Sequence, residues 1–139
     1  MSHIKVLAID WGKHSWGLAL GLHEEMIQSL PALPAKRGRV RQEVIEQLLK
    51  TWEPQILIVG LPLNMDGTEQ PVSKHVRQLV DCLKTWIKIP VYLQDERLTT
   101  HEAKAQLGIK KGADTQKNKG MIDSYAAVLI LESWFLSQA

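Results

Sequence analysis

Apolar positions change their spacing as the chain proceeds, and each change marks a different kind of element. In the first thirty residues they form short β-rich runs. Val6 to Asp10 is the first and is broken by Gly12. Trp16-Gly17-Leu18-Ala19-Leu20-Gly21 and Met26-Ile27-Gln28-Ser29-Leu30 follow, separated by the polar turn His23-Glu24-Glu25. Connections this short predict an antiparallel meander of three strands. A basic loop containing proline and glycine is expected from Pro31 to Arg39.

The period then becomes helical. Val40, Val44, Ile45, Leu48, Leu49 and Trp52 share one face, with Arg41, Glu43, Glu46 and Lys50 on the other, and Pro54 ends the run. Ile56-Leu57-Ile58-Val59 is uniformly apolar up to Gly60, the mark of a strand covered on both faces. A second helix is signalled from Val72 to Ile87, with Pro71 near its start. Val91-Tyr92-Leu93 reads as another strand, ending at Gln94-Asp95-Glu96. Thr99 and Glu102 are placed as a capping box for a short helix ending near Gly108. Residues 109 to 120 read as a mobile loop, and a last helix from about Met121 to Leu136. The order β-β-β-α-β-α-β-α-α predicts an α/β fold, a mixed sheet with helices on both faces.

Composition narrows the picture. With 139 residues, 45% hydrophobic and 23% charged, the chain fits a single globular domain over 1–139 that needs no disulfide. Its lone cysteine, Cys82, falls in an apolar helical pattern and is expected to be a buried small hydrophobe. The N-terminus enters a strand with no secretory segment, and no apolar run is long enough to span a bilayer, so a cytoplasmic location without membrane contact is expected. A net charge of +2 does not by itself indicate a nucleic-acid partner.

In a sheet of this kind ligands collect at the carboxyl ends of the strands. Asp10 ends the first strand, Asp95 and Glu96 end the last, and Asp123 stands in the first turn of the final helix. Strand alternation puts Asp95 and Glu96 on opposite faces, so one of them points into a site shared with Asp10. Converging carboxylates repel one another, and a hard divalent cation relieves the repulsion. Mg²⁺, with oxygen ligands and water, suits such a cluster at a phosphodiester. Taken singly, each acid also reads as a cap or turn residue, Asp123 at a helix N-terminus above all.

Four strings extend this reading: Ile9-Asp10-Trp11-Gly12, Val59 to Glu69, Asp95 to Ala103, and Lys119 to Ala127. Together, in this order across nearly the whole chain, they resemble the YqgF family, also called RuvX, of Holliday junction resolvases or pre-16S rRNA nucleases. The resemblance implies a ribonuclease H-like fold with five strands in the order 3-2-1-4-5. It also implies nuclease action in maturing the 5′ end of 16S rRNA during bacterial ribosome biogenesis. It carries catalytic and metal-holding roles onto Asp10, Glu96 (or Asp95) and Asp123, with Mg²⁺, or Mn²⁺ in its place. One departure stands out: His14-Ser15-Trp16 occupies the position of the family's usual Lys-Arg pair and following Ile or Thr, leaving Lys13 to compensate in part.

Around the acids, Asn64 is a candidate for binding phosphate and Gly60 for letting backbone approach one, against the plainer reading of a turn with its tip at Asp66-Gly67. The fourth strand carries no acid where related folds place a glutamate, so the acid of the last strand is expected to substitute. Arg97 could meet a phosphate or pair with Asp95, Asp66 or Glu69. Lys36, Arg37, Arg39 and Arg41 form one basic group, and Lys110, Lys111, Lys117 and Lys119 a second; each reads as a phosphate-tracking loop or as solvated surface. Lys13, Lys36, Arg37 and Lys119 are the candidate cations for substrate. Trp11 beside Asp10 reads as core packing or as a stacking platform, whereas Trp52, Trp86 and Trp134 read as core. Ala126 and Ala127 suit a close approach of the last helix to the sheet.

The substrate is expected to be nucleic acid, pre-rRNA ahead of branched DNA. A junction resolvase with the same chemistry and a catalytically weak binding module remain alternatives, and so do a monomer and a homodimer. An actin-like phosphotransferase would need two subdomains, for which the chain is too short.

Overall fold

The protein is described from a computed structural model, which defines the backbone of residues 4–97 and 116–138 and the side chains of 4–97 and 124–138. The expected meander is β1 (Val6–Asp10), β2 (Ser15–His23) and β3 (Met26–Pro34), paired antiparallel. Helix α1 (Gln42–Trp52) leads to β4 (Ile56–Leu61), and α2 (Pro71–Trp86) to β5 (Val91–Asp95). Both strands run parallel to β1, and the sheet order is β3-β2-β1-β4-β5, as expected. The final helix, α3, spans Gln116–Ser137.

β3 runs on to Pro34, four residues beyond the expected Leu30. It is an edge strand, so a proline costs it no ladder bond on the open side. The register steps from Trp16↔Leu33 to Leu18↔Leu30, a bulge that absorbs Pro31 and Ala32. The final helix begins at Gln116, so residues 116–120, expected as loop, belong to it; the short helix expected over 99–108, Lys110 and Lys111 lie outside the described residues.

Alternation along the strands divides the core in two. Leu7, Ile9, Leu57, Val59 and Leu61 face Ile45 of α1 and Val76, Val80 and Leu83 of α2. Val6, Ala8, Ala19 and Ile58 face Ala127, Ile130 and Leu131 of α3. The second interface is rich in alanine, and Ala126 and Ala127 are buried, so α3 sits close against the sheet. The buried Ser124 hydroxyl donates to the Leu30 carbonyl at 2.8 Å, tying α3 to the edge of the meander. Trp52, Trp86 and Trp134 are only partly buried: each large ring lies at a helix end and covers the rim of the core. Cys82 is exposed, contrary to expectation, because α2 buries Val76, Leu79, Val80 and Leu83 and turns position 82 outward. No helix among the described residues is long and apolar enough to cross a membrane.

Candidate active site

The two faces of the sheet separate the residues at its carboxyl edge. Gln94 donates to Ser133 of α3 at 3.2 Å, which puts the even positions of β5 on the α3 face. Glu96 follows on that face, its backbone N–H bonding the Leu61 carbonyl at 3.1 Å and so prolonging the β4–β5 pairing past the last strand residue. Its carboxyl group lies against Gly60: a Cβ built on that glycine would stand 2.7 Å from Glu96 Oε2 and 2.5 Å from Ile130 Cδ1. The glycine at the end of β4 therefore makes room for the acid of the next strand and for α3, not for a phosphate. Glu96 thus occupies the place beside β1 that an acid on β4 would otherwise fill.

There Glu96 forms a side-chain hydrogen bond with Asp10. A hydrogen bond between two carboxyl groups requires a proton on one of them. Burial pushes the Glu96 carboxyl up to about 7; the bond to Asp10 pulls the other way, and the nearby charge of Asp95 adds to the rise. Among the described residues Glu96 Oε2 is buried with no hydrogen-bond partner. Two converging acids, one holding an orphaned buried oxygen, make an oxygen-donor pair that fits a hard divalent cation. No third acid, histidine or cysteine among the described residues completes a cluster with them. Asp123 lies in α3, the helix packed on this same face, but its side chain and that of Lys119 are outside the described residues.

Asp95 points away from this pair. Its carboxylate accepts from the Arg97 backbone N–H at 2.9 Å and from Arg97 Nε at 2.7 Å. Burial alone would raise its pKa, but the Arg97 amide and guanidinium outweigh that and hold it below the ordinary value. Arg97 Nη1 also donates to the Met65 carbonyl at 3.2 Å, so Arg97 has the structural pairing and fastens the 64–68 turn to the end of β5. Within that turn Asn64 Nδ2 donates to Thr68 Oγ1 at 2.9 Å, and the Thr68 amide and hydroxyl donate to Asp66. Glu69 pairs instead with Arg77, at 2.6 Å. Asn64, exposed, is committed to the turn.

Beyond Asp10 the chain crosses to the other face. Trp11 packs against the α1–α2 core, its ring parallel to His75 of α2 with centroids 5.4 Å apart. Its Nε1 donates to the Gly38 carbonyl at 2.9 Å, as does Nε1 of the fully buried Trp16 at 3.2 Å. Gly38 is the second corner of a tight hairpin. Lys36 and Arg39 exchange backbone bonds of 2.9 and 3.0 Å, and Arg37 and Gly38 have φ of 54° and 78°. Positive φ at both central positions is the type I′ geometry that matches strand twist. A Cβ on Gly38 would lie 2.1 Å from Trp11 Cζ2. The basic loop expected over Pro31 to Arg39 thus ends in a hairpin pinned by two indoles. Further bonds from Ala35 and Gly38 to the His14 and Lys13 carbonyls fasten it to the segment after Asp10. Trp16 anchors this arrangement; neither that role nor that of His75 was visible in the sequence, where Arg37-Gly38 is a weak turn signal.

A five-stranded sheet in this order, flanked by helices and with an acid at the end of β1, is of the ribonuclease H-like superfamily. The chain belongs to the RuvX (YqgF) family: the family model described as Holliday junction resolvase matches residues 4–137. It is 45% identical to a protein of Glaesserella parasuis serovar 5 (strain SH0165), over 96% of this chain and 97% of that one. It is 42% identical to a protein of Yersinia pestis (strain Pestoides F), over 100% and 99%. Both are provisionally named pre-16S rRNA nuclease. Among solved structures, the fold is similar to T. thermophilus RuvC in complex with a Holliday junction substrate (TM-score 0.54, 16% identity, 98% of this chain and 96% of that one). It is also similar to the Fowlpox virus resolvase bound to Holliday junction DNA (TM-score 0.56, 10% identity, 97% and 99%).

Proposed function

We propose that the chain is a single nuclease domain that hydrolyses phosphodiester bonds in RNA, acting at the 5′ end of pre-16S rRNA. The observation that carries this reading is the Asp10–Glu96 pair, two carboxyl groups hydrogen-bonded to each other with one buried oxygen left unpartnered, in a chain whose 45% identical relative bears the pre-16S rRNA nuclease name. Asp10, Glu96 and Asp123 would hold Mg²⁺, or Mn²⁺ in its place. Bound there, the ion supplies Lewis acidity toward the phosphate and the attacking water. With such an ion held, Asp10 and Glu96 would both face the reacting phosphate as charged carboxylates. Gly60 and Ile130 fix the Glu96 carboxyl from behind and exclude water from one side of it. Asp95, held by Arg97, keeps the end of β5 in register. Lys13, Lys36, Arg37 and Lys119 lie in segments suited to phosphate contact, whereas Asn64 and Arg97 serve it by ordering the turn beside the site.

The test is cleavage of pre-16S rRNA and four-way-junction substrates side by side, with Mg²⁺ and with EDTA. Asp10→Asn keeps the shape and removes the charge, and should lower Mg²⁺-dependent cleavage by at least about a hundredfold while leaving binding largely intact. Cleavage of the junction alone would favour the resolvase reading, which the family description and the two junction-bound neighbours motivate. An Asp10→Asn protein as active as its parent would leave a binding module on the same fold.

A further inference from the structure

Behind the acids, on the α1–α2 face, the pinned hairpin and α2 enclose an open groove of about 980 Å³. Its lining combines two features. Lys36, Arg37, Arg39 and Arg41 supply four cations, none in an ion pair with a described residue, and no acid is among the lining residues. The same lining includes aromatic surfaces: Trp11, the exposed His75 stacked on it, and the half-buried Trp86. Cations alone would suit any polyanion. Cations together with aromatic faces suit a single strand, whose bases are free to stack while its phosphates meet the charges; in a duplex the bases are already stacked and the aromatic surface would go unused. The hairpin's I′ geometry and its two indole bonds hold the backbone that carries these cations in place before anything binds, which lowers the ordering cost of association. Asp10 and Trp11 are consecutive, so a strand lying across the end of β1 reaches the acids on one face and the groove on the other.

We propose that this groove is a subsite for single-stranded nucleic acid next to the cleaved phosphate, with phosphates on the Lys36–Arg41 segment and a base stacked on His75. Its placement next to the cleaved bond rests on the nuclease reading above; occupancy of the groove does not. The chain's single cysteine, Cys82, is exposed and lines the groove, so the unmodified protein carries its own reporter. Alkylation of Cys82 by iodoacetamide is followed in EDTA, with binding measured in parallel by anisotropy of a labelled oligoribonucleotide. At ten times its Kd a single strand should slow alkylation about tenfold, since about a tenth of the protein stays open. A duplex of the same sequence or polyglutamate, at equal charge concentration, should leave the rate near its free value. Equal protection by either would overturn the single-strand assignment. A strand that binds while Cys82 reacts at the free rate would overturn the subsite and leave the Asp10→Asn cleavage test untouched. Failure of every nucleic acid to bind would overturn both readings. His75→Ala, at an exposed helical position, should weaken single-strand binding roughly tenfold and duplex binding little; unchanged affinity would overturn the stacking role.

Discussion

The end of β1 presents two opposite environments one residue apart. Asp10 turns toward α3 and meets a half-buried acid whose pKa burial raises; Trp11 turns toward α2 and meets an open groove lined by cations. Strand alternation alone produces the division. It keeps the guanidinium groups away from the carboxylates they would otherwise neutralise, so an orphaned Glu96 oxygen persists within one residue of a basic surface. The same rule acts at the end of β5, where Glu96 joins Asp10 and its neighbour Asp95 is taken up by Arg97.

The comparison breaks most visibly at β5. Glu96→Gln should reduce cleavage at least about a hundredfold, like Asp10→Asn, whereas Asp95→Asn should keep activity within a few-fold and loosen only the Arg97 contacts. Equal losses from both would mean that the face assignment is wrong; parallel cleavage rates at saturating Mg²⁺ decide it.

A second effect appears without metal. Glu96 has a folded pKa raised from 4.5 to about 7, so its neutral form is favoured by folding. That contribution is fully present below about 4.5 and is lost as pH rises through about 7. The metal-free protein should therefore lose on the order of 3 kcal/mol between those limits. Glu96→Gln, which stays neutral, should flatten the profile, and Mg²⁺ should restore the parent's stability at high pH. Urea titrations in EDTA at a series of pH values measure this directly.

On the cationic side the effects are smaller. Neutralising Lys36, Arg37 and Arg39 together should flatten the slope of log K against log salt by about two to three units, since each phosphate contact contributes roughly 0.7 to 0.9. An unchanged slope would show a solvated hairpin. Gly38→Ala should cost about 1–2 kcal/mol of stability, from the positive φ and the contact with Trp11, and weaken strand binding while sparing the Asp10–Glu96 pair. Differential scanning calorimetry and strand affinity read the two consequences separately.

Much of this was legible along the chain because it depends on period. The meander, the apolar β4 and the amphipathic α1 and α2 follow from local spacing, whereas alternation along β5 separates Asp95 from Glu96 without saying which of them meets Asp10. Where local signals were misleading, the reason was tertiary. Pro31 and Pro34 read as loop residues but are tolerated because β3 is an edge strand with a bulge. Cys82 read as core because its neighbours are apolar, yet helix phase turns it into the groove.

By itself the sequence determined the order of the described elements and the sheet's two faces, both properties of neighbouring residues and their repeat. Only the tertiary structure decided which distant residues meet. Gly60 opens space for Glu96, Trp11 and Trp16 bond the one carbonyl of Gly38, and His75 from α2 comes to stack beside β1. Those encounters depend on register and helix rotation across the sheet, which no local period encodes.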